Sequence, residues 1–149
     1  MNEEKKTPVL INLLAIAKYD QMPDYPIQLM TTGMLKRLDK DCAELTYTET
    51  QQDEDNGELI KADITLSITN KSVTMQRRGD YSNTMVFKKG QRYEGIYETP
   101  YGSMGLAVFA RNVDCEIGDK NGAIHLKYQL DIQGNYSSSN ELHLEYHAE

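Results

Sequence analysis

Arg77 and Tyr97 are two side chains whose chemistry and positions suit recognition of an acidic small molecule. Arg77 has the same parity as Val73 and Met75, so in an extended strand the three side chains point to one face. An inward guanidinium needs a carboxylate, a water-filled interior or an anionic ligand, because burying an isolated charge is costly. Its planar fork also donates two parallel hydrogen bonds to a carboxylate. The spacing therefore predicts that Arg77 and Tyr97 bind the acidic end of a small apolar carboxylate.

The same parity rule supplies the rest of this predicted ligand site. A strand over residues 91–98 would place Tyr93 beside Tyr97, and Phe87 shares a face with Met85. The predicted ligand-binding residues are Arg77, Tyr97, Met75, Met85, Phe87 and Tyr93. The alternative is that Arg77 lies at the rim near Gly79, with its head in water and its stem on apolar neighbours.

The segment from Lys71 to Arg92 is strongly basic, with six basic residues against one acidic residue, Asp80. The whole chain has a formal net charge of −7, which argues against general DNA binding because a polyanion would be repelled. The basic segment could still bind an acidic protein or RNA, or it is simply a solvated face. The predicted partner-binding residues in the first case are Lys71, Arg78, Lys88, Lys89 and Arg92.

Histidine and cysteine, the residues most often used in catalysis, are few and poorly placed. His125, His143 and His147 fall on the polar faces of predicted strands, where a general base would face solvent. Cys42 and Cys115 are far apart and lack the spacing of zinc ligands, and two unpaired thiols favour the cytoplasm. The sequence thus indicates no catalytic residue, metal or cofactor, and a small isomerase or hydrolase is the least favoured function.

Alternation of apolar and polar residues with period two runs through most of the 149 residues, and no convincing helical period appears. The clearest strands cover residues 63–69, 124–132 and 141–147. Weaker strands are predicted over residues 8–19, 28–38, 43–51, 72–78, 83–88, 91–98 and 103–113. No apolar run approaches the roughly 18 residues that a membrane helix needs.

Short turns separate these strands, among them Lys89-Gly90 and the pair Asn121-Gly122, which is typical of a tight hairpin. Neighbouring strands should therefore be antiparallel. We predict an all-β fold, one antiparallel up-and-down β-barrel of about eight to ten strands over residues 7–147. Such a barrel is either just filled by side chains, which the composition favours, or holds one small ligand. The sequence does not distinguish a monomer from a homodimer.

The order and spacing of several short motifs resemble an uncharacterised bacterial family, domain of unknown function family 1934. The motifs are Thr31-Thr32-Gly33, Val73-Thr74-Met75-Gln76-Arg77-Arg78-Gly79, Phe87-Lys88-Lys89-Gly90, Tyr97-Glu98-Thr99-Pro100-Tyr101-Gly102 and Tyr128-Gln129-Leu130. The resemblance spans nearly the whole chain. It implies a calycin-like, lipocalin-type barrel in a cytoplasmic bacterial protein, and it implies no activity and no site residues.

Overall fold

The computed structural model describes residues 6–18, 25–52 and 57–149, and its regular elements in these ranges are ten β-strands. Within these residues no helix is long and apolar enough to cross a membrane. The strands are β1 (Lys6–Lys18), β2 (Tyr25–Arg37), β3 (Ala43–Gln52), β4 (Leu59–Ile68), β5 (Ser72–Gly79), β6 (Asn83–Lys88), β7 (Arg92–Thr99), β8 (Gly102–Ile117), β9 (Asn121–Ile132) and β10 (Asn135–Ala148).

The ten strands form one antiparallel sheet in the order β6-β5-β4-β3-β2-β1-β10-β9-β8-β7. Neighbours in the sheet are neighbours in sequence, except where β1 pairs with β10 over residues 9–18 and 139–148. This pairing of the two terminal strands curls the meander into a nearly closed up-and-down barrel. The all-β barrel predicted from alternation and turn residues is thereby confirmed.

The barrel is open along one line, the seam between β6 and β7. Lys89-Gly90 was predicted to join a paired hairpin, but β6 and β7 form no continuous ladder and lie at opposite edges of the sheet. At one end of the seam, two hydrogen bonds of 2.8 Å join Ser82, the residue before β6, to Glu98 of β7. At the other end, the amide of Gln91 in the turn donates to the carbonyl of Lys88 at 3.0 Å, and the amide of Gly90 donates to the carbonyl of Ala110 in β8. β7 is paired along its whole length with β8 on its other edge.

The interior is filled with apolar side chains from alternate positions of the strands. Residues with less than 2% exposure include Ile11, Leu45, Leu66, Leu126 and Leu144. In β8 the alternation changes phase at a bulge next to Ala110, so that even positions face inward before it and odd positions after it. One inserted residue thus lets a 16-residue strand follow the curvature of the barrel.

Tyr146 lies buried at one end of the barrel, and its ring explains why residue 122, which was predicted to lie in a tight turn, is a glycine. Its hydroxyl donates to the carbonyl of Gly118 at 2.8 Å and accepts from the amide of the same residue at 3.1 Å. A Cβ atom at Gly122 would overlap the Tyr146 ring. Asn121-Gly122 therefore begins β9 and is not a tight turn, and the glycine is needed for close packing instead of for a positive φ.

Candidate functional site

Arg77 points into the barrel and meets a carboxylate there. It lies opposite Asn83 in β6 and Ile64 in β4, and its side chain is 26% exposed. Its two terminal nitrogens donate to Glu49, Nη1 to Oε1 at 2.9 Å and Nη2 to Oε2 at 3.3 Å. Of the two positions that the sequence left open, inward or at the rim, the structure has Arg77 on the inward face, and the partner that compensates its charge is a residue of β3.

The ion pair sets the electrostatics of this end of the interior. Burial opposes the charge on Arg77, but the hydrogen bonds and negative charge of Glu49 outweigh it, so the pKa of Arg77 is raised. Tyr47 and Tyr97 also raise the pKa of Arg77, which places both tyrosines in its electrostatic environment. Burial, reinforced by Glu49, raises the pKa of Tyr47 well above its ordinary value. With both pKa values raised, Arg77 is charged and Tyr47 is neutral at neutral pH.

A cleft of about 600 Å³ follows the seam and reaches Arg77. Tyr93 and Gly95 of β7 line one wall, and Asn83 of β6 lines the other. The Tyr93 ring folds over Gly95, where an added Cβ would come within 2.9 Å of it. The side-chain oxygen of Asn83 is buried and has no hydrogen-bond partner among the described residues, which is a cost unless a ligand or water supplies a donor.

The other four predicted ligand-site residues, Tyr97, Met75, Met85 and Phe87, are not among the residues that line this cleft. Tyr97 packs against the core and contacts Tyr81 edge-on, with ring centroids 6.2 Å apart. Met75 and Met85 face each other across β5 and β6. Phe87 is fully buried against Tyr128, with centroids 4.8 Å apart, far down the filled part of the interior. The role of the six residues in binding stays a prediction.

The predicted basic strip is divided by the fold into separate parts. Lys71, Lys88 and Lys89 border a groove of about 660 Å³ at one end of the β5–β6 hairpin. Arg78 lies at the other end, opposite Asp63. Arg92 is held by two carboxylates at 3.2 Å each, those of Glu94 and Asp131. The strip is therefore no continuous surface. Lys71, Lys88 and Lys89 remain together at one groove and have no ion-pair partner among the described residues, while Arg78 stands apart from them.

Sequence reasoning missed Glu49, Asn83 and a contact between two histidines. Glu49 shares the parity of the buried Tyr47, which is a signal that could have identified it as inward. His125 and His143 do lie on outward faces, as predicted, but the β9–β10 register places them directly opposite each other. That register depends on a bulge between Tyr136 and Ser138, where alternation changes phase.

The fold and the site define a small up-and-down β-barrel with a polar seam. A family described as a domain of unknown function (DUF1934) matches residues 11–144, and the chain belongs to this family. Its structure is similar to that of the ywiB protein from Bacillus subtilis, with a TM-score of 0.81 and 18% identity over 97% of this chain and 93% of that one.

A weaker structural similarity is to a structural genomics protein of unknown function from Bacteroides ovatus. It has a TM-score of 0.37 and 12% identity over 97% of this chain and 45% of the other. No curated protein sequence matches this chain. The similarities establish the fold and the family of this chain, and they identify no functional residues.

Proposed function

We propose that this protein is a binding barrel of the lipocalin type that takes a small anionic or amphipathic molecule at the seam between β6 and β7. The observation that carries the proposal is the buried, unpartnered oxygen of Asn83 beside Arg77, in a cleft of about 600 Å³. Both groups are left with unused hydrogen-bonding capacity at the point where the wall is open.

Glu49 leaves part of Arg77 available to a ligand. It occupies one N–H of each terminal nitrogen, so the Nε–H and the outer Nη2–H remain as a second, side-on fork. A ligand carboxylate or phosphate fits that fork bidentately. Asn83 then accepts a hydrogen bond from a hydroxyl or amine of the ligand, and Tyr93 offers an aromatic wall.

The filled interior determines where the apolar part of the ligand lies. Because Leu66, Leu126 and Phe87 leave no exposed surface inside, a long chain cannot thread the barrel axis without displacing them. The ligand therefore lies along the seam, where Ile96 is 58% exposed and lines the cleft. Compact carboxylates should bind better than long fatty acids.

Calorimetric titration with medium-chain carboxylates, and with alcohols of equal length, tests this proposal. We expect the wild-type protein to prefer the carboxylate and Arg77→Ala to lose about 10–100-fold in affinity, the value of a charge-assisted hydrogen bond. Arg111→Ala is the matched control, because Arg111 is an exposed arginine that does not line the cleft. Absence of binding by wild type, or equal binding by Arg77→Ala, refutes the proposal.

A second candidate function is docking of an acidic partner on Lys71, Lys88 and Lys89. None of these three lysines has an ion-pair partner among the described residues, and together they border one groove. Three unpaired charges of one sign attract a polyanion at long range. Arg78 and Arg92 no longer belong to this surface, since one is distant and the other is neutralised.

Binding of polyglutamate and of a single-stranded RNA, measured over a range of salt concentrations, tests the second candidate. Affinity should fall steeply with salt and be lost on Lys88→Glu with Lys89→Glu. The same charge change at Lys61 and Lys127, exposed lysines outside the groove, is the control. Binding that ignores salt, or that responds equally to both double variants, rejects this candidate.

A further inference from the structure

His125, His143 and Glu141 form a cluster on the outer surface that the seam does not involve. His143 and Glu141 are two residues apart in β10 and share its outward face, and His125 lies opposite His143 in β9. One donor atom from each of the three side chains lies within 4.8 Å of the others. The two imidazole rings are stacked, with centroids 4.0 Å apart and planes inclined by 25°.

We propose that this cluster is a binding site for a divalent transition-metal ion such as Zn²⁺. Two imidazoles and a carboxylate are a ligand set that Zn²⁺ uses, with an open position left for water. Tetrahedral ligands at about 2.1 Å lie roughly 3.4 Å apart, so donor atoms that now lie within 4.8 Å of one another need to close by at most about 1.4 Å. We expect rotation of the side chains to close this gap while the β9–β10 register stays as it is.

The state of His125 supports a ligand at this position. Its Nε2 atom is buried and has no hydrogen-bond partner among the described residues. The stacked ring of His143, which is itself 41% exposed, can swing outward and admit an ion between the two nitrogens. A metal ion then supplies the partner that the buried His125 nitrogen lacks. Stacking of the two rings alone gives that nitrogen no such partner.

Neighbouring side chains are arranged as supports for such a site. His143 Nε2 lies 3.4 Å from Glu141 Oε2, while Lys18 contacts the other oxygen at 3.5 Å. Lys18 thus holds the carboxylate with one oxygen toward the histidine. Asp114 of β8 lies opposite His125 in the register, where an acidic residue can orient a ligating histidine.

The chain contains its own control for this proposal. Glu145 and His147 repeat the spacing of Glu141 and His143 on the same face of the same strand. They lie opposite Ala123 and Asn121, so no second histidine faces them. If only the spacing along β10 mattered, both pairs would bind a metal equally well.

Titration of Zn²⁺ into metal-free protein, in competition with a chromophoric chelator, tests the site in the full chain. We expect one equivalent of Zn²⁺ to bind, and His143→Ala, His125→Ala and Glu141→Gln each to weaken binding by about 100-fold, because even outer-shell changes cost 10–100-fold. His147→Ala and Glu145→Gln should bind as wild type does. Circular dichroism of each variant checks that the barrel remains folded.

A second readout identifies the ligands directly. With Cu²⁺ in place of Zn²⁺, the electron paramagnetic resonance spectrum should show coupling to two imidazole nitrogens in the wild type and to one in His143→Ala. Wild-type binding weaker than about 100 µM refutes the site, because such affinity is below that of a built metal site. Equal losses of Zn²⁺ affinity in His143→Ala and His147→Ala also refute it, as does a wild-type Cu²⁺ spectrum that lacks coupling to two imidazole nitrogens.

Discussion

The Arg77–Glu49 pair shows how one charge can be kept inside an apolar barrel. Each side chain is 26% exposed, so the pair lies between a surface ion pair, worth about 0–1 kcal/mol, and a fully buried one, whose rupture costs about 3–5 kcal/mol. When one member of the ion pair is removed, much of the cost is that the other charge stays partly buried without a partner. The pair therefore specifies the polar end of the interior more than it stabilises the fold.

Removal of one partner of this pair should be more harmful than removal of both. We expect Glu49→Gln to lower the free energy of unfolding by about 1–2 kcal/mol, because Arg77 is left without its carboxylate. The double variant Glu49→Gln with Arg77→Met should recover most of that loss. Urea denaturation of the four proteins in the cycle measures the coupling, and simple additivity of the two single variants would contradict the argument.

At the scale of elements, strand pairing depends on a few positions where backbones approach closely. β2 pairs with β3 only over Gly33–Arg37 and Ala43–Tyr47, and Gly33 is the first residue of that ladder. A Cβ atom at Gly33 would overlap the carbonyl oxygen of Thr46 and come within 2.7 Å of Ile11 Cδ1. This glycine lies in one of the motifs shared with the family, and its role is steric.

Gly33→Ala should destabilise the protein by about 1–3 kcal/mol, since an added methyl group overpacks a rigid contact. Gly105→Ala in β8 is the control, because a Cβ there meets only the flexible side chain of Gln133 at 3.4 Å. We expect the control to stay within about 0.5 kcal/mol of wild type. Equal stability of both variants in urea would show that the β2–β3 ladder can shift to admit the methyl group.

At the scale of the whole molecule, the seam is the place where the barrel can open. The β1–β10 pairing closes the other side with ten residue pairs, whereas β6 and β7 are joined at their ends only. Local opening occurs where few hydrogen bonds must break, so the seam should be the most easily opened part of the wall. The proposed ligand enters at this line.

A disulfide across the seam should both stabilise the barrel and block the cleft. Ser82 and Glu98 exchange two hydrogen bonds, and such pairs have Cα atoms about 5.5 Å apart, which suits a disulfide. We expect oxidised Ser82→Cys with Glu98→Cys to gain up to about 3 kcal/mol and to lose carboxylate binding. The control is the same double variant with the disulfide reduced, whose thermal unfolding and carboxylate binding are measured in the same way. Unchanged binding in the oxidised form would place the ligand elsewhere.

Much of the fold was predictable because alternation is a local property. All ten strands were anticipated, and the parity of Val73 and Met75 indicated an inward Arg77, with a position at the rim left open as the alternative. The phase changes in β8 and β10 were not anticipated, because a bulge inserts one residue without a strong signal of its own. The prediction of a turn at Asn121-Gly122 was wrong for a related reason. In the sequence, a glycine needed for close packing cannot be told from a glycine needed for a turn.

The amino-acid sequence alone determined the antiparallel meander, the family and, away from the bulges of β8 and β10, which side chains share a face, since each follows from short-range patterns of residue type. Only the tertiary structure decided which faces meet. It paired Arg77 with Glu49, left β6 and β7 apart, and set His125 against His143. The physical reason is that barrel closure and register depend on contacts between distant strands, and a shift of one residue there exchanges every partner.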